Sequence, residues 1–92
     1  MMSFEKLNEM VSNRGFRRST TAKMLHEGKY EGLKAYDYRH RKKYDTFSIY
    51  VDEFGAVKFS EYTEVNPRTL ETKVHTLYNS FDHQRFFENL AR

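Results

Sequence analysis

One short stretch, Thr46-Phe47-Ser48-Ile49-Tyr50-Val51, constrains this chain more than any other. Its side chains alternate with period two, as a half-buried strand requires. Asp52-Glu53-Phe54-Gly55 follows, with Asp first and Gly fourth, an order that suits a type I turn inside a hairpin. Pairing back across that turn sets Val51 opposite Val57 and Ile49 opposite Phe59, with Phe47 facing Glu61 near the open end. The same register places Tyr50 with Lys58, Ser48 with Ser60 and Thr46 with Tyr62 on the other face. Upstream, Leu33 to Arg39 reads as a third strand with Tyr36 and Tyr38 on one side. The middle of the chain is therefore expected to be a three-stranded antiparallel meander.

Helix signals flank it. Ser3 suits an N-cap, Met2 and Leu7 are placed as a hydrophobic staple, and Phe4, Leu7, Met10 and Val11 recur at helical spacing up to a stop at Gly15. Ser19-Thr20-Thr21 offers a second N-cap for a short helix carrying Ala22, Met24 and Leu25 and ended by Gly28. Asn66-Pro67 reads as the start of a last helix, capped by Asn66 and stapled through Val65 and Leu70. Leu70, Val74, Leu77, Tyr78 and Phe81 then share one face. Phe86, Phe87 and Leu90 fall on roughly the opposite side at about 100° per residue. Either the helix breaks near Asn79–Asp82, with Asp82 capping a new one, or its end carries a second apolar face. The expected fold is one α+β domain over residues 1–92: two N-terminal helices, the meander, and a C-terminal helix packed on one sheet face. That packing would bury Phe47, Ile49, Val51, Val57 and Phe59 against Leu70, Val74, Leu77 and Phe81.

Composition makes a core of this size feasible. Hydrophobic residues are only 38% of the 92, but aromatics are 16%, and Phe and Tyr bury much area apiece. There are no cysteines, which excludes disulfides and thiolate metal sites and suits a reducing, cytoplasmic setting. The first residues lack the apolar run of a signal peptide, and nothing approaches the roughly 20 apolar residues that span a bilayer. A membrane partner is not expected. The net charge of +3 hides an asymmetry, because residues 1–44 carry eleven Lys/Arg against five Asp/Glu while residues 45–92 carry five against eight.

Function is read from that asymmetry. Arg39-His40-Arg41-Lys42-Lys43 concentrates fixed cations in the loop between the first two strands, either as a solvated run or as a phosphate contact. Tyr36, Tyr38, Tyr50, Tyr62 and Lys58 are expected on the sheet face away from Ile49 and Phe59. Exposed there, beside Arg39, Arg41, Lys42 and Lys43, they would stack single-stranded bases and neutralise phosphates. Packed beneath a helix, they could not. Arg17 and Arg18 extend the basic surface, with Arg14 and Lys23 flanking a segment that resembles a helix–turn–helix hairpin. The expectation is a non-catalytic nucleic-acid-binding protein favouring RNA or single strands.

The competing expectation is a protein-binding inhibitor or adaptor, of the compositional kind that phages and mobile elements encode against host defence enzymes. Phe86, Phe87 and Leu90, together with Tyr30 and Phe54, would be its interface with a host protein, and the first three would alternatively meet a second copy in a symmetric homodimer. Those three would instead belong to the core if the helix breaks. His26, His40, His75 and His83 form no metal-binding motif, and Glu71 and His75, four apart, read as a surface pair. No Gly-rich phosphate loop, catalytic constellation or cofactor is expected.

Overall fold

The computed structural model describes residues 2–19 and 21–90. Ser3 caps α1 (Phe4–Ser12) as its sequence predicts: its side-chain oxygen accepts from the Lys6 N–H at 3.2 Å. Leu7 and Val11 are wholly buried beneath the helix. Gly15 ends the segment at φ +88, a backbone conformation that favours glycine, and a Cβ there would stand only 3.0 Å from Nε2 of His40.

The expected second N-terminal helix is not formed. Two short strands, β1 (Phe16–Arg18) and β2 (Lys23–Met24), occupy that region instead, both antiparallel to β3 (Lys34–His40) along one edge. Thr20, part of the expected cap, lies outside the described residues. A helix of two turns is marginal by itself. The edge of β3 supplies ready backbone partners, and Ser19 N–H continues the pairing onto Asp37 O at 2.8 Å.

β4 (Thr46–Val51) and β5 (Val57–Val65) form the expected hairpin, closed by Gly55 N–H on Asp52 O. Val51 faces Val57, but a bulge follows: Tyr50 pairs with Phe59, so Lys58 is the extra residue. Every later pair is displaced by one from the expected register. Ile49 meets Ser60, Ser48 meets Glu61 and Phe47 meets Tyr62. Since side chains alternate, the slip carries Tyr62 and Phe59 each to the face opposite the one expected.

The long C-terminal helix is also replaced. Asn66 caps a turn rather than a helix, its side chain accepting from Arg68 N–H at 2.8 Å and Thr69 N–H at 3.2 Å. Leu70 adopts φ 65, and the chain returns as β6 (Thr72–Leu77) beside β5. The β-branched Thr72, Val74 and Thr76 suit this strand. Helix α2 (Ser80–Leu90) begins only after it. Asn79, rather than Asp82, accepts from the helix N–H of Asp82 at 2.8 Å, while the Asp82 carboxylate accepts from Tyr78 N–H.

The result is one helix, an antiparallel sheet of order β1-β3-β4-β5-β6 with β2 beside β1 on β3, and a second helix. This corrects the expected two N-terminal helices and three strands. Both helices cover one face, where Leu7, Val11, Phe16, Tyr38, Phe47, Ile49, Tyr62, Leu77 and Phe87 form a continuous core. Phe87 is buried, with Phe86 and Leu90 packed half-buried beside it. Of the expected helix stripe, Leu77 is buried, whereas Leu70, Val74, Tyr78 and Phe81 are exposed, since only Phe81 of the five lies in a helix. The opposite face holds a smaller cluster of Leu33, Ala35, Tyr50 and Phe59, lidded by Leu25 and by Tyr30 from a 3-10 turn at Gly28–Tyr30. Among the described residues no helix is long and apolar enough to cross a membrane.

Candidate nucleic-acid interface

The cations gather at one end of the sheet. Arg17 on β1 stands directly opposite Arg39 on β3, so both side chains leave the same face. Together with His40 and Arg41 they line a shallow depression of about 320 Å³. Arg41, Lys42 and Lys43 then run through the β3–β4 turn, and all five cations are exposed.

The turn itself is held from within. His40 Nδ1 accepts from the N–H groups of Lys42 and Lys43, both at 3.1 Å, so this nitrogen carries a lone pair rather than a proton. Its ring meets Phe16 edge-on at 5.0 Å, its N–H reaches Asp45 O at 3.0 Å, and Arg41 N–H reaches Gly15 O at 2.9 Å. Asp45 is buried and anchors the far side, accepting from the Tyr62 hydroxyl and, at 3.0 Å, from Val65 N–H. Burial, reinforced by this carboxylate, pushes the Tyr62 hydroxyl well above the usual tyrosine range. A hydrogen-bonded loop therefore displays exposed cationic tips.

None of those tips is in an ion pair among the described residues. Among the described residues the ion pairs are Lys29–Glu61 at 3.1 Å and His75–Glu64 at 3.2 Å, and neither includes one of these five cations. His75 thus pairs across strands, and not with Glu71 as its spacing suggests. No cluster of three metal-ligating side chains occurs among the described residues.

The other residues singled out by sequence lie elsewhere. Tyr38 is fully buried, its hydroxyl donating to Asn8 Oδ1 at 2.6 Å, and burial pushes it up to about 12 against the opposing charge of Arg18. Tyr62 lies beneath α2 against Phe86 at 4.8 Å, and Tyr36 rests half-buried on Phe4 at 4.5 Å. Tyr50 occupies the opposite face but stacks on Phe59 and lies under Tyr30. Among the described residues these tyrosines form no exposed platform, because the hydroxyls of Tyr38, Tyr50 and Tyr62 have internal partners and their rings are core, while Tyr36 packs half-buried against Phe4. Arg18 projects to the helix side, 5.5 Å over the Tyr36 ring. Arg14 lies over Phe87 and donates to its carbonyl, and Lys58 is exposed at the bulge, apart from the turn. Arg17, Arg39, Arg41, Lys42 and Lys43 are thus brought together; the tyrosines, Arg18 and Lys58 do not join them.

Sequence reasoning passed over Tyr44. It follows Lys43 directly, is 64% exposed, and shares a cleft of about 630 Å³ with Arg41, Lys42, Lys43, Asp45, Glu64, Val65 and Pro67. Its position beside the cationic run was the available signal. A second omission is the carboxylate of Glu61, which accepts from the hydroxyls of Tyr30 at 2.8 Å and Tyr50 at 2.9 Å. A third is buried His83, whose Nε2 lies 2.9 Å from Ser60 Oγ while Nδ1 meets Asn79 O at 2.7 Å.

Comparison with protein families, with curated proteins and with solved structures returns no match for this chain. The functional reading rests on the residues themselves.

Proposed function

We propose that this protein binds nucleic acid through its phosphate backbone, using the cationic end formed by Arg17, Arg39, Arg41, Lys42 and Lys43. The observation that supports the reading is the direct opposition of Arg17 and Arg39 beside the Arg41–Lys43 turn, with no carboxylate in ion-pair range among the described residues. Like charges opposed across strands are destabilising, and a polyanion relieves that repulsion. The tyrosine half of the expectation is withdrawn, since the rings are core. Binding, and not catalysis, suits the site: the one His–hydroxyl pair among the described residues, His83–Ser60, is 2% and 0% exposed and offers no substrate access. The cytoplasmic setting drawn from the cysteine-free sequence goes with this reading.

The test is titration of a labelled oligonucleotide at several salt concentrations. Five phosphate contacts give a log–log slope of roughly −3 to −4 on single strands. Changing Arg41, Lys42 and Lys43 together to Ala should remove more than half of that slope. Binding that is absent, or indifferent to salt, overturns the reading.

A second reading, a protein-binding adaptor, is favoured by the exposure of Leu70, Val74, Tyr78 and Phe81 along β6 and its ends, at an edge of the sheet. A host protein or second copy adding a strand to β6 would cover them. Its test is recovery of one protein partner, unaffected by nuclease, or a dimer by light scattering that V74K abolishes.

A further inference from the structure

We infer that Tyr44 is a stacking surface for one unpaired base, and that it makes the cationic end selective for single strands over duplex. The inference rests on the nucleic-acid reading above and deepens it. Two observations carry it. Tyr44 is the one exposed large apolar residue of the β3–β4 turn, at 64%, whereas Tyr38, Tyr50 and Tyr62 are inside. Its neighbours Lys43 and Asp45 are both anchored, Lys43 by its N–H on His40 and Asp45 by Tyr62 and Val65, so the ring stands on a fixed base.

The cleft beside it has suitable chemistry on each side. Arg41, Lys42 and Lys43 supply the phosphate contacts, and Val65 and Pro67 supply apolar surface near the ring. Its volume of about 630 Å³ is within the range of sites that enclose small ligands, ample for a nucleotide. Asp45 and Glu64 also line it, but Asp45 does not repel a phosphate freely, because both its carboxylate oxygens accept hydrogen bonds from Tyr62 and Val65, and Glu64 is held 3.2 Å from His75 Nε2 on the neighbouring strand. An aromatic ring requires a free base face. In a duplex those faces are covered by neighbouring pairs, whereas a single strand offers them and gains a stack in addition to its phosphate contacts.

The experiment measures fluorescence anisotropy with a labelled single strand, as DNA and as RNA, and with the corresponding duplex, for wild type, Y44A and Y44F. Wild type should prefer the single strand. Y44A should weaken single-strand binding about tenfold, one base stack, while duplex binding and the salt slope stay unchanged. Y44F should keep the preference. The ring is exposed, so the variants should fold, and circular dichroism checks this. Salt-sensitive binding that Y44A leaves intact, or weakens equally for both forms, overturns the Tyr44 inference alone. Absence of binding by wild type to every oligonucleotide overturns the underlying reading with it.

Discussion

The two faces of the sheet come from the same alternating strands, yet they are closed differently. Beneath the helices, Phe47 is surrounded by the rings of Phe16, Tyr38, Tyr62, Phe86 and Phe87, all centred within 6.5 Å. Polar groups there are few, and Tyr38 on Asn8 and His83 on Ser60 are paired, while Arg14 Nε is buried without a partner. The opposite face has no helix. Its lid is a single 3-10 turn, held by one carboxylate that gathers Tyr30, Tyr50 and Lys29. The rest of that face is polar apart from exposed Val74, and its β1–β3 corner carries Arg17 and Arg39. The apolar face stabilises the fold, and the incompletely covered one leaves room for binding.

The largest expected effect lies on the helix side. Phe47→Ala removes the central ring and should cost about 3–5 kcal/mol in urea unfolding, enough to leave little folded protein. Glu61→Ala strikes the other lid and leaves the buried Tyr50 hydroxyl without an acceptor. About 1–3 kcal/mol should be lost, with faster proteolysis around Gly28–Tyr30 while the helix-side core holds. Equal losses from the two changes would erase the contrast between the faces.

Acid separates the faces more gently. Burial holds the His83 imidazole below its ordinary pKa of 6.5, only partly offset by Asn79 and Asp82. The unfolded chain therefore takes up the proton first. This contribution to stability is complete above pH 6.5 and is lost as pH falls through the lower folded value. Burial alone would raise Glu61, but hydrogen bonds from Tyr30, Lys29 and Tyr50 outweigh it and hold the carboxyl below 4.5. Its contribution is present above pH 4.5 and disappears below. Unfolding free energy measured against pH should thus fall in two stages. H83Q should flatten the first and E61Q the second, each sparing the other. The smallest effect is expected of Lys58→Ala. That exposed bulge residue should change stability by less than about 0.5 kcal/mol and leave oligonucleotide affinity near wild type, in contrast with Arg39→Ala.

Locally encoded features were legible. The Ser3 cap, the Gly15 stop, the Asp52–Gly55 turn and the alternation of Thr46–Val51 each depend on neighbours a few residues away. So does the cationic run at residues 39–43, of which Arg39 and His40 end β3 and Arg41–Lys43 form the turn. The tyrosine face was not legible, because one inserted residue at Lys58 reverses every side chain beyond it in β5. Nothing in the composition of Val57-Lys58-Phe59 announces which of its residues will be left unpaired. Asn66-Pro67 misled for a related reason. An Asn side chain accepting from the N–H groups two and three residues ahead is the same local chemistry in a turn and in a helix cap.

By itself, then, the sequence determined where the chain turns, which stretch must alternate, and that positive charge collects in its first half. Tertiary structure alone decided that the segments around Arg17 and Val74 become strands, that four tyrosines turn inward while Tyr44 stays out, and that Arg17 meets Arg39. The reason is that strand pairing is settled by hydrogen bonds to a partner distant in the chain, whose open edge must exist before either segment has a preferred conformation.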